Sequence, residues 1–229
     1  MSLFAIGDLH LAFGAPEKSM EVFGGRWTDY TDKIRRGFDL LHEEDLCVIC
    51  GDLCWAMDLE TALPDFRFLN DLPGKKLLLK GNHDYWWTTA AKMTAFFKNN
   101  GLDRLYLLHN NCMPWEDLAL CGTRGWFYEE ETGTEHDKKI LRREVGRLAA
   151  SLDAARDREK LVFLHYPPLY LQYQCPEIMD TLSAYGVEEC YYGHIHGKGA
   201  HAAFIGERDG VKYRLVSGDF LDFFPYKVR

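Results

Sequence analysis

The residues able to do chemistry in this chain fall into five short blocks. Asp8 and His10 are spaced Asp-x-His, Gly51 precedes Asp52, and residues 81–84 read Gly-Asn-His-Asp. His165 stands alone, and residues 193–196 read Gly-His-Ile-His. Any one of these, taken singly, is better explained as a helix cap, a turn or a satisfied core histidine. As a set, most of them sit where an apolar run gives way to a loop, and core packing does not account for that. Carboxylate, carboxamide and imidazole are oxygen and nitrogen donors with no thiolate among them, which suits Mn, Fe, Zn, Co or Ni. The blocks together offer about seven good donors, more than the roughly four to six that one ion uses. Two ions sharing a carboxylate are the natural solution, and ions about 3.5–4 Å apart support in-line displacement at phosphorus.

Elements must bring these blocks together. Apolar runs at 3–6, 46–50, 76–80 and 161–165 read as buried strands, each leading into one of the blocks. Amphipathic stretches at 31–43, 59–70, 88–99 and 135–157 read as helices, the last marked by Ile140, Leu141, Val145, Leu148 and Leu152 at helical spacing. The alternation predicts largely parallel strands with right-handed crossovers. Further strands are expected at 104–108, 117–121, 189–192, 201–206 and 212–217, the last two as a hairpin around the turn that ends in Asp209-Gly210. So many strands point to two packed sheets with helices outside. The irregular stretches 11–30 and 123–134 follow strand ends, where α/β folds build their sites. No linker or repeat interrupts the sequence, so residues 1–229 read as a single domain.

The chain has 229 residues, 47% of them hydrophobic, and a net charge of −8. That is enough for a full core. The acidic balance argues against a surface that grips extended nucleic acid, yet it leaves anionic small molecules open, because bound cations dominate local charge. The N-terminal run reaches the first block within eight residues and reads as no export signal. No apolar stretch approaches the roughly 20 residues of a membrane span. Seven cysteines then read as reduced thiols in a cytoplasm. Cys47 and Cys50 have Cys-x-x-Cys spacing, but on a strand residues three apart point to opposite faces, so they and Cys54 read as buried hydrophobes rather than a zinc site.

The five blocks, in this order, resemble the calcineurin-like metallophosphoesterase superfamily, whose pattern is Asp-x-His, Gly-Asp, Gly-Asn-His-(Asp/Glu), His, Gly-His-x-His. The runs Gly-Asp-Leu-x-Trp-Ala-Met at 51–57 and Asn-His-Asp-Tyr-Trp-Trp at 82–87 are most similar to an uncharacterised bacterial branch of predicted phosphohydrolases. The resemblance implies a four-layer αββα sandwich with the site at the strand ends. It implies Asp8, His10 and His196 as ligands of one metal, Asn82, His165 and His194 as ligands of another, and Asp52 as the bridge. A hydroxide between the ions would attack a phosphomonoester or phosphodiester, with His83 contacting the phosphoryl oxygens and protonating the leaving group. The cofactor expected is a pair of divalent ions, Mn, Fe or Zn. The alternatives are a nuclease and a non-catalytic protein-binding scaffold of the same fold.

The chain also departs from that pattern. Trp55 stands where protein phosphatases of the superfamily carry the aspartate that orients the catalytic histidine, and their phosphate-gripping arginine is absent. Asp58 is one substitute partner for His83. Arg124, after the run 117–121, is the expected substrate-binding guanidinium; Arg26 is read as a surface residue. Of Trp86 and Trp87, at most one is expected to face a pocket. Asp84 is read as loop support and Asp219 as structural. His42, His109, His136 and His201 fall outside the pattern.

Overall fold

The computed structural model describes residues 1–128 and 133–229. Two mixed sheets pack face to face, with helices on both outer surfaces. Strand β2 (Leu46–Cys50) explains why. Every one of its residues is buried. Cys47 and Ile49 face the helices, while Leu46, Val48 and Cys50 face the other sheet. Both faces of the strand are therefore dry, which is what an unbroken apolar run requires. Cys47 and Cys50 do lie on opposite faces, and all seven cysteines are free.

The first sheet has the order β13-β1-β2-β3-β4. Its four parallel strands are β1 (Leu3–Ile6), β2, β3 (Lys75–Leu79) and β4 (Leu105–Leu107), and β13 (Tyr226–Lys227) is antiparallel to β1. Helices α1 (Tyr30–Phe38), α2 (Leu59–Asp71) and α3 (Ala90–Asn99) are the crossovers. Their apolar faces, including Ile34, Phe38, Phe66, Leu69, Met93 and Phe97, cover one side of this sheet.

The second sheet has the order β11-β12-β10-β7-β6-β5. Its parallel strands are β6 (Leu118–Thr123), β7 (Glu159–Leu164), β10 (Glu189–Tyr192) and β12 (Val211–Leu215). Short antiparallel strands β5 (Met113–Trp115) and β11 (Gly206–Arg208) form its edges. Helices α4 (Glu135–Ala154) and α5 (Pro176–Ala184) cover its outer face through Leu141, Leu148, Leu152, Ile178 and Leu182. Between the sheets lie Leu77, Leu79, Leu120, Leu161, Phe163 and Val216. The result is the expected αββα sandwich.

Several boundaries differ from the sequence reading. The stretch 31–43 is helical only to Phe38, because Asp39 and Leu40 turn the chain out. The strand expected at 201–206 begins at Gly206; residues 197–202 instead form a 3-10 turn, and the Tyr192 hydroxyl donates to the Phe204 carbonyl at 2.6 Å. The hairpin itself is present. Asp209 and Gly210 both have positive φ, as a two-residue turn requires, and Arg208 pairs with Val211. Helix α5, β5, β13 and the small hairpin of β8 (Leu169–Tyr170) and β9 (Tyr173–Gln174) were not anticipated. Of the irregular stretch 123–134, residues 129–132 lie outside the described residues. Among the described residues no helix is long and apolar enough to cross a membrane.

Candidate metal centre

All five blocks lie just beyond the C-terminal ends of parallel strands: β1 delivers Asp8 and His10, β2 Asp52, β3 Asn82 to Asp84, β7 His165, and β10 His194 and His196. The two sheets are joined at this edge. The His194 N–H donates to the Asp8 carboxylate at 2.9 Å, and the Gly7 N–H donates to the Val216 carbonyl at 2.7 Å. The glycines of the motifs permit this closeness. A Cβ on Gly81 would meet Asp52 Oδ1 at 2.1 Å, and one on Gly193 would meet Asp8 Oδ2 at 2.5 Å. Asp8, His10, Asp52 and His194 all have positive φ, from 44° to 72°. Four strained residues at one locus are characteristic of a functional site held by its surroundings.

The donors gather into two groups. Asp8, His10 and His196 form one, and Asp52, His165 and His194 the other, with the ligand atoms of each group within 4.8 Å of one another. Asn82 joins the second group, its Oδ1 lying 2.6 Å from His165 Nε2. Asp52 stands between the groups. Its Oδ2 is 3.7 Å from His10 Nε2 and 3.5 Å from His165 Nε2, while Oδ1 accepts the His83 N–H at 2.8 Å.

The protonation pattern tests whether cations fit. His165 Nδ1 lies 3.0 Å from the Cys50 carbonyl. A carbonyl can only accept, so Nδ1 carries the proton and Nε2 presents a lone pair toward Asn82 Oδ1, another acceptor. His196 Nδ1 is likewise held by Asp219 Oδ1 at 3.0 Å, which aims Nε2 at His10 Nε2 (3.3 Å) and Asp8 Oδ1 (3.5 Å). Lone pairs facing lone pairs need something positive between them. Burial holds His10 and His165 below the ordinary imidazole range and takes His194 down to about 3, so these rings are neutral donors. Burial opposes charge on His196 too, but Asp8 and the bonded Asp219 overcome it and raise the ring to about 10. Burial, reinforced by Asp8, pushes Asp52 up to about 8. The protons on Asp52 and His196 are ones a bound cation would displace. The residues therefore fit divalent ions.

Residues beyond the ligands fix this arrangement. Asp84 is fully buried and accepts from the Asp52, Leu53 and Gly81 N–H groups at 2.9, 2.9 and 2.7 Å, and from the Trp86 indole at 3.1 Å. Its expected role in loop support thus extends to the turns after β2 and β3. Asp219, read as structural, touches a candidate ligand: besides His196 it accepts the Gly197 N–H at 2.8 Å. The sequence signal was the Gly218-Asp219 pair after an apolar strand, the pattern that marked Asp52. Tyr30 donates to the His10 carbonyl at 3.0 Å, and Trp27 lies 5.7 Å from the His196 ring.

Trp55 stacks on His10 at 4.9 Å and packs against His83 at 4.4 Å between ring centroids. His83 has no carboxylate partner among the described residues, and its buried Nδ1 makes no hydrogen bond. Asp58 does not supply one; it caps α2 by accepting the Thr61 N–H at 2.8 Å. Arg26 donates to the Asp219 carbonyl at 2.8 Å, so it braces the loop carrying Asp219 rather than pairing on the surface. Arg124 is not part of either donor group. Its guanidinium lies 4.9 Å over Trp126 and 3.5 Å from Glu144, and its carbonyl accepts the His165 and Tyr166 N–H groups. Trp86 is core, whereas Trp87 is half-buried and donates to His109 at 2.8 Å.

Comparison with known proteins agrees with this picture. Residues 1–198 match the family model described as calcineurin-like phosphoesterase. Human tartrate-resistant acid phosphatase type 5 is 27% identical over 165 residues, 63% of this chain and 49% of that protein, so the chain spans about half the length of this relative. Among solved structures, phosphopantetheinyl hydrolase from Mycobacterium tuberculosis superposes with a TM-score of 0.60 at 16% identity, over 99% of this chain and 95% of that one. A protein of unknown function from Aquifex aeolicus gives 0.53 at 15%, with the same coverage. The likeness of these two structures is one of fold. With a family model matched over most of its length and that family's blocks gathered at one sheet edge, the chain belongs to the calcineurin-like phosphoesterases.

Proposed function

We propose that this chain, acting as one catalytic domain, hydrolyses a small to medium phosphomonoester or phosphodiester with the help of two divalent ions. The observation that carries the reading is the pair of donor groups with Asp52 Oδ2 between them. Asp8, His10 and His196 would hold one ion, Asn82, His165 and His194 the other, and Asp52 both. Such ions, Mn, Fe or Zn by donor chemistry, supply an ionised water near neutral pH and offset charge on the phosphoryl group.

The chain's own groups do the rest. His83 stands beside His10, with ring centroids 5.6 Å apart, and its half-buried ring can donate to a phosphoryl or leaving-group oxygen. Trp55 holds that ring by packing, in place of the carboxylate found in protein phosphatases. Asp219 keeps His196 in the tautomer whose Nε2 faces the site. Seven free thiols support a reducing, cytoplasmic setting.

The test is turnover of aryl phosphomonoesters and diesters by protein supplied with Mn²⁺. Metal-stimulated hydrolysis is expected, and Asp52→Asn should reduce kcat by about 100-fold or more. His83→Ala should cost about 10²–10⁴-fold with alkyl esters and much less with nitrophenyl esters, whose leaving group needs no proton. Protein carrying two metals per chain yet inactive on every ester would sink the proposal.

A further inference from the structure

A second cavity, of about 350 Å³, opens on the same edge of the two sheets and contains none of the metal-group residues. Its walls come from the ends of β3, β4 and β6, the start of α3 and the middle of α4. Lys80, Arg124 and Arg147 line it, against, among the described residues, the single carboxylate of Glu144. In a chain of net charge −8, that local excess of positive charge runs against the composition.

Glu144 does not neutralise the cavity so much as organise it. The side chain is 1% exposed. Its carboxylate accepts from the Thr123 hydroxyl at 2.5 Å and from Arg147 at 2.6 Å, with Arg124 at 3.5 Å. One buried acid thereby holds two guanidiniums side by side. The buried Arg124 Nε makes no hydrogen bond among the described residues. Lys80 forms no ion pair among them and is half-buried, close to both arginines in the wall. Unspent donors from three separate elements converge on one space.

The cavity is also tied to the metal centre through the backbone. Lys80 is separated from Asn82 by Gly81 alone. The Arg124 carbonyl receives the N–H groups of His165 and Tyr166, at 3.2 and 2.9 Å. The cations therefore stand on the same strand ends as the metal donors. An uncharged wall completes the space: Trp87 and His109 lie within 9° of parallel and are joined by an N–H···N bond of 2.8 Å. A bond of that length lies in the ring planes, so the two rings are side by side rather than stacked.

We propose that this cavity is a subsite for a phosphate group that is not the one being cleaved, so that the preferred substrates are phosphoesters carrying a second phosphate. The inference rests on the hydrolase reading above. A phosphate suits the site because its several oxygens can take the guanidiniums of Arg124 and Arg147 and the ammonium of Lys80 together.

The experiment uses the metal-loaded full chain and compares kcat/KM for a phosphomonoester with that for the same alcohol bearing a second phosphate. A preference of about tenfold or more for the bisphosphate is expected. It should vanish in a Lys80→Gln, Arg147→Gln double variant, mainly through KM. Equal rates on the two compounds in the unsubstituted protein, or a preference that survives the double variant, would overturn the proposal. Crystals of the metal-loaded protein soaked in selenate give a readout independent of turnover. Anomalous density between Arg124 and Lys80 is expected, and selenate found only at the metals would count against the subsite. Selenate in the cavity of a protein that cleaves no ester would remove the hydrolase reading and leave the anion site standing.

Discussion

His196 shows how much a single neighbour decides. Its ring lies between two carboxylates, Asp8 at Nε2 and Asp219 at Nδ1, with one nitrogen committed to each. The Asp219 bond selects the tautomer and the ring plane, leaving Nε2 for the site. Asp219→Asn keeps the shape but can present an amide N–H where the ring also donates. Metal affinity at the Asp8 group should fall by about 10–100-fold, read by titrating metal-free protein with Mn²⁺ or Zn²⁺. Unchanged affinity would mean that packing by Trp27 alone orients the ring. Most of the proposed ligands were readable because they sit in two- to four-residue motifs; His165 stood out only as a lone histidine ending an apolar run. Asp219 carried the same Gly-Asp signal as Asp52, but its meeting with His196 is made by two neighbouring strand ends and not by spacing. Trp55 was readable as a departure, yet only the fold reveals it as the packing partner of both His10 and His83.

At the scale of elements, periodicity disclosed what burial dictates and missed what local bonding dictates. Strand β2 and helix α4 were plain because one is dry on both faces and the other on one stripe. The nine-residue α5 carries only Ile178, Met179 and Leu182 as buried apolar residues, too few to stand out. Residues 201–206 look like a strand, but the Tyr192 hydroxyl takes the Phe204 carbonyl that a ladder would use. Between α2 and β3 lies a further feature invisible to pattern. Lys76 is fully buried, donating to the Leu72 and Gly74 carbonyls. Burial lowers its ammonium to about 8, against an ordinary 10.5. At this group, between those values, the unfolded chain binds more protons than the folded one, so its contribution to stability rises with pH from about 8 to 10.5. The slope from this group is at most about 1.4 kcal/mol per pH unit. Buried thiols raised by burial pull the other way above about 9, so the measurement is a difference: by chemical denaturation the unsubstituted protein should gain stability relative to Lys76→Met across that range. Parallel curves for the two proteins would contradict the assignment.

At the scale of the molecule, the two half-sandwiches contribute unequal shares. The first sheet brings Asp8, His10, Asp52 and Asn82, and the second brings His165, His194 and His196, so neither sheet holds a complete donor group. The family match ends at residue 198, yet β12 beyond it buries Val211, Tyr213 and Leu215 against the second core. A chain ending at residue 198 should therefore lose its cooperative unfolding transition, followed by circular dichroism, and not merely its activity. A sharp transition in that truncated chain would show that β11, β12 and β13 are dispensable for folding. Asp84 has a consequence of another kind. One buried carboxylate ties the turns after β2 and β3 together through four donors drawn wholly from the protein. The cradle for Asp52 is thus assembled before any ion arrives. Metal uptake at the group holding Asp52 should then be a concentration-dependent kinetic phase limited by shedding water from the ion, with no slower step in which the loops find their places.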